Sequence, residues 1–255
     1  MTDWIKLSAT LLFCIGLIIQ TIAVATSEHE DEEYYLALGG RAYDNWMNLI
    51  DKKERKQRGL SIQEFHHNHP LYPAAGKKRG LTTWRCKECH GWDYLGNQGA
   101  YGSGSHYTGI KGIRDMQGAS LDSIAAIIRG DSHGYDQRMI DDGTLSALAL
   151  FISRGQVDMN AYIDRDTGKA KGTPGKGKPL YNSLCAICHG TKGRKINFKT
   201  FNKPEFVGTV ANRNPWEVLH KIRNGHPGEQ MISVLALNIQ QQVDILRYSQ
   251  ELPKQ

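Results

Sequence analysis

The sequence has few cysteines and no recognisable nucleic-acid-binding motif. Only five of its 255 residues are cysteine, and four of these belong to two short motifs described below. The fifth, Cys14, lies in the apolar N-terminal run, so no cysteine pair is left for a disulfide framework. The chain is basic, with a formal net charge of +6, but it has no helix-turn-helix, zinc-finger or aromatic RNA-binding signature. We therefore expect a globular protein whose partners do not include nucleic acid.

Long apolar runs are also scarce, apart from one at the N-terminus. Residues 7–25 are mostly apolar and end in a small-x-small pattern, which is typical of a signal-peptidase site. The run is long enough to remain as a membrane anchor instead, because about 20 apolar residues span a bilayer. We predict a signal peptide or membrane anchor over 1–25, an acidic tail over 26–33, and an exported, periplasmic location for the rest.

The four remaining cysteines form two Cys-x-x-Cys-His motifs. Cys86 and Cys89 precede His90, and the pattern recurs at 185–189. A redox-active cysteine pair has no use for the histidine. A Cys₄ zinc site is the alternative, but the motifs are far apart and zinc does not require a histidine after each. The pattern is that of covalent haem c attachment, and its residues in the second copy are Cys185, Cys188 and His189.

Haem chemistry explains this spacing. Two cysteines at positions i and i+3 of a helical turn lie on one face, so both sulfurs can reach the vinyl groups on one porphyrin edge. The following histidine then lies under the iron as its proximal ligand. We expect two covalent haem c groups, with iron bound by His90 and His189.

The two motifs belong to an internal repeat. We assign 34–155 to the first copy, 156–178 to a Gly/Lys/Pro-rich linker and 179–255 to the second copy. Each copy has a helix containing a Gly-x-x-x-Tyr pattern, then the haem motif, a methionine loop and a closing amphipathic helix. Tyr43 and Tyr181 occupy matching positions. In the first copy, a long insert from Met47 to Arg85 separates the first helix from the motif.

The chain resembles the class I c-type cytochromes, specifically dihaem members built from two fused cytochrome domains. The resemblance spans about residues 34–255 and rests on both haem motifs, the Gly-x-x-x-Tyr helices and the methionine loops. It implies an all-α fold of two tandem helical haem domains. It also implies Met139 and Met231 as sixth ligands, which would raise the iron potential. His133 and His226, in the same two loops, are the alternatives.

The neighbourhood of the first motif contains two further clusters. Trp46, Trp84 and Trp92 are expected to wall the haem pocket. The histidine-rich part of the insert, with His66, His67 and His69, is expected to be a solvated loop covering the haem.

Function follows from these expectations. We expect an electron carrier that passes single electrons between redox proteins, with potentials tuned by axial ligands and burial. The alternative is a catalytic or electron-accepting subunit of a periplasmic oxidoreductase, for sulfur-compound oxidation or as a peroxidase. The lysine-rich segment 165–203 would steer acidic redox partners, and a membrane-bound respiratory complex is another candidate partner.

Overall fold

The structure is a computed structural model that describes residues 31–254. Over this range it is helical, with no β-strand and only three isolated bridges, so the all-α prediction is confirmed. No helix in this range has the length and hydropathy needed to span a membrane. The predicted signal peptide or anchor, 1–25, lies outside the described residues, as does most of the predicted acidic tail.

Eleven α-helices and several single turns of 3₁₀-helix make up the described chain. In chain order the α-helices are α1 (31–45), α2 (Lys52–Gln57), α3 (Cys86–His90), α4 (Leu121–Arg129), α5 (Asp142–Leu150), α6 (Met159–Tyr162), α7 (Pro174–Leu184), α8 (Ala186–His189), α9 (Val207–Arg213), α10 (Pro215–Asn224) and α11 (Ile239–Ser249). A turn of π-helix, Phe151–Gly155, continues α5.

Polar caps define where the longer helices begin. The side chains of Ser120, Asp141 and Asn238 accept hydrogen bonds from the first-turn amides of α4, α5 and α11. Such caps satisfy amide groups that have no partner inside the helix. Asn214 caps α10 in the same way, and Pro215 follows at the first helical position, where its missing N–H is no loss. The local sequence therefore marks where these four helices begin.

We call 31–155 and 174–254 the first and second halves of the described chain. In each half, the first helix crosses the last helix at a glycine. A Cβ atom on Gly39 of α1 would overlap the backbone carbonyl of Ala147 in α5. A Cβ on Gly177 of α7 would likewise overlap the carbonyl of Asp244 in α11. Only glycine allows two helix backbones to approach this closely. Both halves thus have the same glycine-mediated helix crossing at matching positions of the repeat.

The predicted insert and linker are both packed structure. In the insert, Leu60, Phe65 and Trp84 are buried in the core of the first half. In the linker segment 156–178, α6 and the start of α7 are helical, and Met159 is buried in the same core. The segment 156–178 therefore joins the two halves through buried contacts rather than as a free tether.

The two halves also meet directly, at the side chain of His220 in α10. Its Nε2–H donates to the backbone carbonyl of Gly40 at 2.9 Å, and its Nδ1 accepts from the Tyr94 hydroxyl at 2.9 Å. Arg223, one turn further along α10, donates to the carbonyl of Gly155 at 3.2 Å. Because both α10 residues are buried and bonded to the first half, the halves form one continuous core.

The helix crossing in the second half can be tested with a matched pair of substitutions. We expect Gly177→Ala to lower the free energy of unfolding by about 1–3 kcal/mol, because the added methyl group forces α7 away from Asp244. Gly175→Ala is the control, since a Cβ there meets no atom within 4 Å. Chemical denaturation of both proteins measures the difference. Equal losses in the two variants would contradict the close crossing.

The contact at His220 predicts a pH dependence of stability. Burial lowers the pKa of His220 from 6.5 to about 4; nearby Asp44 opposes this shift, and Lys221 and Arg223 add to it. Below pH 6.5 the unfolded chain binds a proton at His220 that the folded chain does not, which favours unfolding. The contribution of neutral His220 to the free energy of unfolding is therefore complete above pH 6.5. It is lost progressively as the pH falls towards 4, with a slope of up to about 1.4 kcal/mol per pH unit.

The test compares the wild-type protein with His220→Gln, whose amide can keep both hydrogen bonds but does not titrate. The free energy of unfolding is measured by denaturant titration across this pH range. We expect the wild type to lose more stability than the variant on acidification. If the free energy of unfolding changes with pH equally in both proteins, the pKa of His220 is not lowered in the folded state.

Candidate functional site

The first Cys-x-x-Cys-His motif forms the short helix α3. The helix ends at Gly91, whose backbone has φ 80°, a left-handed conformation that favours glycine. The buried hydroxyl of Tyr43, from α1, donates to the carbonyl oxygen of Gly91 at 2.6 Å. This bond connects the first helix of the half to the end of the motif, so that the crossing at Gly39 positions the motif as well.

A cavity of about 320 Å³ lies against α3. Its size falls within the range of small-molecule and cofactor sites, about 300–1,000 Å³. Both thiols and the imidazole of the motif line it together. Most of the other lining residues are apolar and come from several elements: Ile110, Ile113, Met116, Ile124, Ile127, Ile128, Leu148 and Ile152. Two thiols and an imidazole in a mainly apolar cavity fit a covalently attached porphyrin.

The imidazole of His90 is oriented by the backbone. Its Nδ1–H donates to the carbonyl oxygen of Lys111 at 2.8 Å, which leaves the Nε2 lone pair free for a metal. Burial lowers the pKa of His90 to about 4, so the ring is neutral, as metal binding requires. Burial raises the pKa of the Cys86 and Cys89 thiols to about 12. Both thiols are therefore protonated at neutral pH.

The two residues between the cysteines are buried and charged. The Lys87 ammonium lies 2.7 Å from Glu88 and 5.2 Å from the centre of the Trp92 ring. Glu88 also pairs with Nδ1 of His106 at 2.9 Å. These positions carry no signal in the motif itself, and the sequence did not predict their burial. The paired charges hold α3 against the loop that contains His106.

The second motif repeats the local geometry of the first. The Tyr181 hydroxyl donates to the carbonyl oxygen of Gly190 at 3.1 Å, and Gly190 has φ 77°. In both copies, the carbonyl of the motif histidine accepts a hydrogen bond from the amide six residues later, at 2.8 Å in the first copy and 3.0 Å in the second. The repeat inferred from sequence is thus matched at the level of individual hydrogen bonds.

The surroundings of the second motif are more open. Cys188 is exposed, and the neighbouring Ile187 has 72% of its surface exposed. The Phe198 ring lies 5.8 Å from the His189 ring and is itself partly exposed. Burial lowers the pKa of His189, but its buried Nδ1 has no hydrogen-bond partner, in contrast to His90. The second site is therefore an exposed apolar face.

The candidate sixth ligands differ in their relation to the first cavity. His133 lines it, whereas Met139 packs at the edge of the hydrophobic core and is not among the lining residues. Met116, which the sequence analysis did not single out, lines the cavity as well. In the second half, Met231 is partly buried, and Nδ1 of His226 lies 3.0 Å from the Pro227 carbonyl. The cavity thus brings His133 to the motif, while Met139 lies outside it.

The tryptophans and the insert histidines differ from expectation. None of the three tryptophans lines the cavity: Trp46 and Trp84 are buried behind it, and Trp92 packs against His220 between the halves. His66 and His67 are exposed, as expected of a solvated loop, but His69 is buried and reaches the cavity wall, so the prediction is wrong for His69. The expected walling by tryptophan was wrong because isoleucines from α4 and the preceding loop fill that role.

No group of three or more His, Cys, Asp or Glu side chains in residues 31–254 is arranged to hold a metal ion. The four cysteines in this range are free and lie in two separate motifs. The geometry therefore does not favour a Cys₄ zinc site.

Comparison of the chain with protein-family models, with curated proteins and with solved structures gives no match. The functional conclusion therefore depends on the motifs and on their geometry.

The hydrogen bond from Tyr43 to the motif predicts a measurable contribution to stability. In Tyr43→Phe the buried Gly91 carbonyl loses its donor, which should cost about 1–2 kcal/mol in the free energy of unfolding. We expect Tyr181→Phe to cost less, because its bond is longer and only partly buried. Tyr107→Phe, at an exposed site, is the control. Equal effects in all three variants would contradict this role of Tyr43.

Proposed function

We propose that the protein is an exported dihaem c-type cytochrome, built from two tandem cytochrome c-like domains, that carries single electrons between redox partners. The observation that carries the proposal is that Cys86, Cys89 and His90 line one cavity whose lining is mainly apolar. Cys86 and Cys89 would bond to the two vinyl groups of the first haem, and His90 would bind its iron. Cys185, Cys188 and His189 would hold the second haem in the same way.

When bound, each haem supplies one iron that cycles between the ferrous and ferric states. The residues of the chain would surround the first haem, orient its histidine ligand and leave the second haem exposed. The isoleucine side chains line the first site with apolar surface, which would favour a stable, non-reactive iron environment. The Lys111 carbonyl fixes the orientation of His90. At the second site, the partly exposed Phe198 and the exposed Cys188 would leave one haem edge close to the surface.

The charge around the second motif supports an acidic redox protein as the partner. Five basic side chains in the segment following His189 are exposed: Lys192, Arg194, Lys195, Lys199 and Lys203. A cluster of one sign steers an oppositely charged protein to the surface and speeds encounter. Electron exchange at an exposed haem edge benefits from such short-lived complexes. A membrane-bound respiratory complex with an acidic docking face satisfies the same requirement.

The proposal is tested by counting covalently bound haem. The chain is expressed in cells with a cytochrome c maturation system, and its mass is measured after denaturation. We expect the wild type to carry two haems. Cys86→Ala/Cys89→Ala and Cys185→Ala/Cys188→Ala should each carry one, because thioether bonds survive unfolding whereas axial ligand bonds do not.

The two double variants are controls for each other, since each keeps the other motif intact. Proteolytic digestion should then locate the haem on the peptide with the remaining motif. A wild-type chain of unmodified mass from haem-competent cells would contradict the proposal. So would a haem that is lost on denaturation, because it would not be bound through the cysteines.

A further inference from the structure

The rings of His90 and His133 lie close together, and both residues line the first cavity. Their centres are 6.0 Å apart and their planes are inclined by 36°. An imidazole nitrogen binds a transition metal at about 2.0–2.1 Å, so two imidazoles on opposite sides of one metal have ring centres about 6.3 Å apart. The observed separation is therefore close to that of two axial ligands of one iron.

A backbone carbonyl fixes the tautomer of each ring. Nδ1–H of His90 donates to the Lys111 carbonyl at 2.8 Å, and Nδ1–H of His133 donates to the Ile127 carbonyl at 3.1 Å. Each ring therefore has an unprotonated Nε2, which is the atom available to a metal. A hydrogen bond from the second nitrogen of a ligating histidine to a backbone carbonyl is the usual way that proteins fix its tautomer.

The insert holds the loop that contains His133. Nε2–H of His69 donates to the backbone carbonyl of His133 at 2.9 Å, while its Nδ1 accepts from the Leu71 amide at 3.2 Å. The His69 backbone amide in turn donates to Thr83 at 2.9 Å, and its ring packs on Trp84 with centres 4.6 Å apart. His69 is thus fixed on both sides and sets the position of His133 through a single hydrogen bond.

The methionine predicted for this site lacks a comparable placement. The Met139 amide donates to the Asp136 side chain at 2.9 Å, which fixes a turn, and its side chain is outside the cavity. Met116 lines the cavity, but it follows closely on Lys111, whose carbonyl anchors the proximal ligand His90. Among the methionines of the described chain, only Met116 lines the cavity, so it is the alternative sixth ligand that the test must exclude.

We propose that the first haem is bound by two histidines, His90 and His133, and that His69 of the insert is the positioning residue for the second of them. This inference rests on the proposed function, because it requires a haem at the first motif. It replaces Met139 as the sixth ligand there. It gives the insert a role, and it makes the two haems unequal. A second imidazole lowers the iron potential relative to methionine, so the first haem should have a lower potential than a second haem bound by His189 and Met231.

The test uses the mature, haem-loaded protein and three single variants: His133→Ala, Met139→Leu and Met116→Leu. In the oxidised wild type we expect the first haem to give a low-spin EPR signal of the bis-histidine type. His133→Ala should convert one of the two haems to a high-spin form that binds carbon monoxide when reduced. Added imidazole should restore the low-spin signal. Both methionine variants should keep the wild-type spectrum.

The opposite pattern would overturn the inference. If Met139→Leu or Met116→Leu produces the high-spin haem while His133→Ala does not, methionine is the ligand. If His133→Ala fails to load haem, Cys185→Ala/Cys188→Ala still decides the matter, because it keeps only the first motif. A methionine-to-iron charge-transfer band from the first haem in Cys185→Ala/Cys188→Ala would exclude two histidines. Absence of haem from all proteins would instead defeat the proposed function.

The role of His69 has its own spectroscopic test. We expect His69→Ala to keep two covalent haems but to show a mixed-spin first haem and faster carbon monoxide binding, because the His133 loop is released. His69→Gln can donate the same hydrogen bond to the His133 carbonyl and should recover the low-spin spectrum. If His69→Ala has the wild-type spectrum, His69 does not position His133.

Discussion

The structure depends on one constraint: two thiols and an imidazole must face a common apolar cavity. A protein interior normally packs to high density, so a cavity of about 320 Å³ requires surrounding elements that are held firmly in place. One wall is held in place by the crossing of α1 and α5 at Gly39 and by the hydrogen bond from Tyr43 to Gly91. Helix α4 and its neighbours supply the other. The same crossing and bond recur in the second half, where the wall is open.

Much of this arrangement could be predicted from the sequence, because local signals encode it. The Cys-x-x-Cys-His spacing follows from the geometry of one helical turn. The Gly-x-x-x-Tyr pattern puts the crossing glycine and the bonding tyrosine on one face of a helix. Gly177 and Tyr181 show that the pattern marks the same contacts in both halves. The helix caps, such as Asn238 of α11, are equally local.

The sequence could not identify His133 as the residue opposite His90. His133 lies six residues before Met139 in the same loop, and on spacing alone either side chain could have reached the motif. The loop is bonded to His69, which is distant in sequence and belongs to an insert with no counterpart in the second half. The burial of Lys87 and Glu88 was unpredictable for the same reason, since it depends on partners from other elements. Long-range contacts of this kind leave no periodic signal.

The most direct test of the account is to locate the metal atoms in the mature protein by anomalous X-ray scattering at the iron and zinc edges. The account predicts two iron sites and no zinc. The first iron should lie between the rings of His90 and His133, and the second beside the ring of His189. A zinc signal at the cysteines, or no iron at either motif, would contradict it.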